Sequence, residues 1–342
     1  MPAIKPLDPA DILIVTWQHS LKNPQDRDEK SHDYVWESLC KEFGKKPSGP
    51  KSSGGPESYA RNSDQFLSEL WNYKARQEAR DRFFLLHPET DGRLGGFHTA
   101  LIDLPGTAND KKVCLFHSAL RINTDGPTMP VVRLLKQILQ EAQPKLVLSV
   151  GLGGGVTAEH QVGDVIVANH AEYQLRGDLD GSLRNGVSKQ STWQPKPGLF
   201  SGLSFDKQQE PALVPPSPNY DRTGAVPQPP QHQPVVRIAD KPVRTCPLLT
   251  DNGHVVGIPK GNGKGLDFSA KYAATDMDAA SLAEACSDAN VADFGFIIGL
   301  NVPAVNALSP DDLRDGWIEV FTDRFAAAAA ANAARVARAA CG

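Results

Sequence analysis

The sequence predicts an α/β fold on a mostly parallel sheet covered on both faces. Three observations carry that expectation. Short runs such as Ile12 to Trp17 (ILIVTW) and Lys145 to Val150 (KLVLSV) are apolar nearly throughout, as strands buried on both faces are. Val113 to His117, Met129 to Ala142 and Lys145 to Val150 follow one another as strand, helix, strand, the unit from which parallel sheets are built. The chain has 342 residues and is 40% hydrophobic, enough to bury a sizeable core. At ~150 residues per domain the length allows two domains, but one large α/β domain of this size is ordinary. A single domain over residues 1–342 is expected, with insertions at 22–110 and 178–245.

Taken in order, Ile12 to Trp17 is a β-branched run after a Pro/Asp-rich start and reads as a buried first strand. Residues 22–64 are polar and read as an irregular surface excursion with one helical piece, Tyr34 to Phe43. Gln65 to Phe84 places Phe66, Leu67, Leu70, Trp71 and Tyr73 at amphipathic spacing. Val113 to His117 is a short strand. Met129 to Ala142 repeats Val131, Val132, Leu134, Leu135, Ile138 and Leu139 at helical spacing. Pro130 lies near its first turn and Pro144 ends it. Lys145 to Val150 and Asp164 to Ala168 (DVIVA) are strands. Residues 178–245 break the pattern, with eight prolines in the 24 residues from Pro211 to Pro234. Such a stretch holds neither a helix nor a central strand, so a long solvent-facing loop is expected. Its P-x-x-P at Pro227 to Pro230 matches a polyproline ligand pattern. Order is expected again from Leu248. Asp276 to Ala289 reads as a helix with Ala279, Leu282, Ala283 and Cys286 on one face. Phe294 to Leu300 (FGFIIGL) reads as a buried strand. Pro310 to Ala340 reads as an Ala-rich terminal helix carrying Trp317, Ile318, Phe321 and Phe325, with Ser309 as its cap and Pro310, Asp311 and Asp312 in its first turn.

Composition removes several function classes. Lys+Arg 36 against Asp+Glu 40 gives a net charge of −4, with no basic excess to neutralise nucleic-acid phosphates. The five cysteines are scattered and form no C-x-x-C, which argues against a disulfide framework or zinc knuckle and for a reducing compartment. No apolar run approaches the ~18 residues of a membrane span, and the first is too short for a secretion signal. A soluble, cytoplasmic protein without membrane partners is expected. The nine histidines include no i, i+4 pair, so no metal site is expected. Neither G-x-S-x-G nor H-E-x-x-H occurs.

The glycine cluster Gly151-Leu152-Gly153-Gly154-Gly155 follows a strand. It is not a dinucleotide fingerprint, because Val156 stands where the third glycine belongs and the next strand starts too soon for a crossover helix. It is not a phosphate-binding P-loop either, since no Lys-Ser/Thr follows. Two readings remain. One is a glycine turn at the carboxyl end of a central strand, where backbone approaches a small ligand. The other is a tight turn between strands.

KLVLSVGLGGGVTAEHQVGDVIVA resembles the segment of the nucleoside phosphorylase and nucleosidase superfamily in which a strand, a Gly-rich turn and a Gly-Asp-plus-apolar strand follow in order. Ser118 to Pro130 and ILIVTW are similar to a bacterial branch of it. Asp276-Met277-Asp278 stands where the family has an acidic-Met-Glu motif, and Gly299 to Pro303 where a late strand ends in Ser-Asp or Thr-Asn. The resemblance covers residues 11–20, 113–175 and 246–340. It implies a three-layer α/β/α architecture around a central mixed, mostly parallel sheet.

It also implies chemistry. Breaking an N-glycosidic bond through an oxocarbenium-like sugar calls for a carboxylate at the ribose hydroxyls, a hydrogen-bond donor or acid at the base, and a positioned anion or water opposite. By position, Asp278 and Met277, with Asp276 beside them, fall at the sugar. Asn301 and Val302 fall at the base, and Asn301 can hydrogen-bond to a base without supplying an acidic proton. Gly151, Leu152, Gly153 and Gly154 line the pocket, with Arg121 or His19 on the nucleophile side, His19 as a base near working pH. The chain departs from the family pattern at several places at once. Aspartate replaces glutamate at 278, Val302 replaces an acid, Ser149 replaces one branch's arginine, Leu152 replaces its hydroxyl residue, and Gln18 and His19 stand where another branch has glutamate. The expectation is an enzyme cleaving an N-glycosidic bond of a purine-like nucleoside, without a cofactor and with phosphate as an optional co-substrate. A homo-oligomer sharing sites between subunits is the family default. Two alternatives stand beside it: a repurposed enzyme of specialised metabolism using the same pocket for a non-glycosidic step, and a non-catalytic nucleoside-binding module.

Overall fold

A computed structural model describes residues 6–17, 33–49, 51–60, 93–103, 110–118, 120, 130–157, 159–173, 188–196, 198, 203, 233–245, 271–302 and 317–342. The expected helix at Gln65 to Phe84, the proline cluster up to residue 232 and the Ser309 cap lie outside them. The strands are β1 (Ile12–Trp17), β2 (Glu57–Ala60), β3 (Arg93–Ile102), β4 (Lys111–Ser118), β5 (Leu146–Gly154), β6 (Val165–Ala168), β7 (His170–Tyr173), β8 (Ser188–Gln190), β9 (Val236–Ala239), β10 (Val243–Thr245), β11 (Ala274–Asp276) and β12 (Asp293–Val302). The helices are α1 (Tyr34–Glu42), α2 (Pro130–Ala142), α3 (Ala279–Asp288) and α4 (Trp317–Ala340).

All twelve strands join one mixed sheet. Its middle, β4-β1-β5-β12, is parallel. Antiparallel β3 and β2 extend one side, and antiparallel β6, followed by β9, extends the other. The sheet forks at the tip of β5, where Thr275 of β11 pairs antiparallel with Gly154. From there β11, β10, β7 and β8 form a second arm. Alternation along the strands sends side chains to two cores. Leu13, Val15, Trp17, Val147, Phe296 and Ile298 pack under α2 and α3. Ile12, Ile14, Leu148, Val150 and Ile297 pack under α1 and α4. The three-layer α/β/α arrangement is thus present.

Local chemistry explains the helix ends. Pro130 opens α2 with a preset φ. Gln143 leaves α2 in the left-handed region (φ 46°), and Asn290 does the same just after α3 (φ 58°). Asp33 caps α1 by accepting the Trp36 backbone N–H on Oδ1. The small residues of α4 let its backbone lie on the sheet. A Cβ at Gly299 would come within 2.4 Å of the Ala329 carbonyl oxygen.

Two expectations change. The excursion at 22–64 is not all surface: Val35, Leu39 and Cys40 of α1 are fully buried against α4. Nor is 178–245 loop throughout, because β8, β9 and β10 lie within it. These strands are three or four residues long, and their order comes from pairing with β7, β6 and β11 rather than from local propensity.

Candidate active site

The glycine run is strand, not turn. β5 continues through Gly154 because β12 pairs alongside it, Ile298 with Gly151, Gly299 with Leu152 and Leu300 with Gly153. The backbone that comes close is β11. A Cβ at Gly153 would stand 2.1 Å from the Thr275 carbonyl oxygen, and one at Gly154 would stand 2.9 Å from Thr275 Oγ1. Glycine is required there by a crossing strand. A Cβ at Gly151 meets nothing within 4 Å among the described residues. Leu152 turns its side chain onto the α1/α4 core.

β12 ends at the same rim. Its register shifts between Leu300 and Val302, so Asn301 is the extra residue of a bulge opposite the end of β5. Bulges re-aim side chains at such places. The bulge is held from behind: Leu300 donates to the Asp164 carbonyl, and Gly163 donates to the Leu300 carbonyl. Asp164 is fully buried and accepts from the backbone N–H groups of Gln161 and Val235 and from Arg237 Nε. The Gly-Asp motif is therefore a structural tie between β6, β9 and β12. Asn301 is itself buried. Val302 pairs through its backbone with Gly154.

The helix expected from Asp276 starts later. Asp276 is the last residue of β11, Met277 is half-buried in the link, and buried Asp278 is the cap position of α3. The reason is the Asp276 carboxylate. Its Oδ2 accepts the backbone N–H groups of Asp278 (3.2 Å) and Ala279 (2.7 Å), and its Oδ1 accepts from Thr245 Oγ1 at 2.7 Å. Thr245 Oγ1 in turn accepts the Ala280 N–H at 2.8 Å. Burial first, and the Asp278 carboxylate second, push the Asp276 pKa up to about 7.

The structure thus brings Gly151, Leu152, Gly153, Gly154, Asp276, Met277, Asp278, Asn301 and Val302 to the carboxyl ends of β5, β11 and β12. Such ends, where strand order reverses, are where α/β sheets bind ligands. His19 and Arg121 lie outside the described residues. Two groups were not singled out from sequence. Thr245 joins β10, β11 and α3, and it lies 31 residues before its partner Asp276. Asp33 Oδ2 accepts from His117 Nε2 at 2.6 Å across 84 residues, and Trp36 stacks on His117 with ring centroids 4.9 Å apart. Aspartate directly before a helix is a capping residue type, but nothing local in the sequence connects Asp33 with a histidine 84 residues on.

Comparison with known proteins adds a family. A family model described as Phosphorylase superfamily matches residues 88–341. No curated protein matches the chain. Solved structures similar to it include a 5′-methylthioadenosine/S-adenosylhomocysteine nucleosidase from Neisseria meningitidis, with 13% identity, 97% of this chain and 98% of that one covered, and a TM-score of 0.48. Futalosine hydrolase of Helicobacter pylori has 10% identity, 97% of each chain covered and a TM-score of 0.48. The 5′-methylthioadenosine nucleosidase of Arabidopsis thaliana has 10% identity, 97% and 95% covered and a TM-score of 0.47.

Proposed function

Because the chain belongs to the phosphorylase superfamily, we propose that it cleaves the N-glycosidic bond of a purine-like nucleoside at the carboxyl ends of β5, β11 and β12. The observation that carries the reading is the meeting of three separate segments, Gly151–Gly154, Asp276–Asp278 and Asn301, at one rim. In this reading Asp278 and Met277 take the sugar. The buried cap position holds a carboxylate where positive charge develops on the ribose. Asn301, on its bulge, hydrogen-bonds the base through its amide. Asp276, with both oxygens engaged, holds the start of α3 in place. His19 or Arg121 serves the nucleophile side, and phosphate is an optional co-substrate.

The test is a panel of nucleosides with and without phosphate, read as free base. Release without phosphate identifies a hydrolase, and release only with phosphate a phosphorylase. A repurposed pocket is the second reading. It is favoured by Leu152, which packs into the apolar core where one branch of the family has a hydroxyl residue. No base from any nucleoside, with clean binding of another small molecule, selects it.

A further inference from the structure

β5 ends at Gly154 and β6 starts at Val165, and the turn between them leaves from the rim described above. Two hydrogen bonds hold its first half. The Val156 backbone N–H donates to His160 Nδ1 at 3.2 Å, and the His160 backbone N–H donates to the Thr157 carbonyl at 3.0 Å. A backbone N–H can only donate, so Nδ1 carries no proton and the ring is neutral, with its hydrogen on Nε2. Val156 is buried and packs with buried Tyr272, in a small cluster apart from the two main cores. Tyr272 stands two residues before β11, the strand that crosses Gly154 and ends in Asp276. Its hydroxyl donates to Glu172 of β7 at 3.4 Å. One imidazole therefore fixes the residue against which the approach to β11 is packed. Three charged groups among the described residues act on that ring. From β9, Arg237 donates through Nη2 to the Glu159 carbonyl at 3.0 Å and through Nε to Asp164 Oδ2 at 3.2 Å. From the turn itself come the carboxylates of Asp164 and Glu159. Burial first, and the Arg237 cation second, hold the His160 pKa below the ordinary 6.5, while Asp164 and Glu159 pull the other way.

We propose that His160 is a positioning residue for this site, its neutral ring latching the turn after β5 onto the segment that carries Asp276, Met277 and Asp278. The proposal rests on the glycosidic-bond reading above and deepens it. His160 acts through Val156 and Tyr272 and not on the substrate itself. When the ring gains a proton, Nδ1 becomes a donor and points an N–H at the N–H of Val156. The acceptor is lost and the two donors repel. Val156 then leaves Tyr272, and the segment leading to the sugar side of the site loses its support. The latch is closed at neutral pH and opens as pH falls below 6.5. Opening weakens substrate binding, so KM rises while kcat is spared. The sign for stability is the same. The unfolded chain takes up this proton more readily than the folded one, so the contribution of His160 is full above pH 6.5 and declines below it.

The experiment compares wild type with His160→Asn, whose Oδ1 can accept the Val156 N–H at any pH and cannot titrate. Hydrogen exchange of the Val156 amide is followed by NMR on the full chain from about pH 7.5 to about pH 5, as a protection factor, with the Leu148 amide in mid-β5 as control. Wild type should lose protection at Val156 about tenfold or more over that range, with Leu148 steady, and His160→Asn should keep it. Equal protection of wild-type Val156 at both ends, or the same loss in His160→Asn, overturns the latch; the wild-type titration decides alone if the variant does not fold. With the nucleoside that the panel identifies, KM of wild type should rise tenfold or more more steeply toward acid than KM of His160→Asn, while the kcat profiles coincide. Asp276 titrates in the same range, and its share is the slope that both proteins retain. Identical KM profiles overturn the positioning role while leaving glycosidic cleavage intact. If no nucleoside is cleaved, the glycosidic reading fails and with it the role in catalysis, and the exchange data still support or overturn the latch itself.

Discussion

Asp276 and Asp278 are two residues apart, both buried, and differently employed. Asp276 bonds to Thr245 and to two backbone N–H groups, so its carboxyl organises the chain around it. Its pKa of about 7 lies above the ordinary 3.8. The folded protein therefore keeps a proton that the unfolded chain releases, and the stability this group contributes is full below pH 3.8 and is lost as pH rises to about 7. The difference in urea midpoint between wild type and Asp276→Asn should move against wild type across that window. A difference that stays flat with pH would contradict the assignment. Asp278→Ala should remain folded and lose a hundredfold or more in kcat/KM on a cleavable nucleoside; full activity would remove Asp278 from the sugar. The sequence motif named both aspartates but could not divide their work. The spacing Asp-Met-Asp is the same whichever one caps the helix, and Thr245, far off in sequence, decides it.

Among elements, those with a continuous apolar signal were legible. The ends of β1 were read correctly because six apolar or β-branched residues stand between polar flanks, and α2 because its stripe and two prolines agree. The end of β5 was misread. A run of glycines looks like a turn locally, and only the partner crossing it, β11, reveals why side chains are excluded. Gly151→Ala and Gly153→Ala should therefore diverge. The first adds a methyl where no described atom lies within 4 Å and should leave the melting temperature nearly unchanged. The second drives a methyl into the Thr275 carbonyl and should cost more than about 3 kcal/mol, or prevent folding, since backbone must shift rather than a rotamer. The joint between β10, β11 and α3 offers a sharper test. Thr245→Val keeps the shape but strands the Ala280 N–H and one Asp276 oxygen, at a cost of about 2 kcal/mol in urea unfolding; Thr245→Ser should recover most of it.

At the scale of the molecule, two cores share one sheet, with Trp17 in the core under α2 and α3 and Trp36 in the core under α1 and α4. Neither core has its own strands, so neither should melt alone. Tryptophan fluorescence and far-ultraviolet circular dichroism should give coincident thermal transitions; separate midpoints would mean the layers unfold independently. The layered plan was legible from the succession of apolar strands and helices. The forked sheet was not, because β8, β9, β10 and β11 are too short to announce themselves and exist through their neighbours. The fork leaves a mark beyond structure. Where the two arms touch, at Gly153, replacement is barred by main chain from another segment, whatever the protein acts upon. A mutational library sorted only for how much protein a cell accumulates, with no substrate supplied, should retain glycine at 153 while admitting alanine at 151, so invariance at 153 would testify to assembly and not to chemistry.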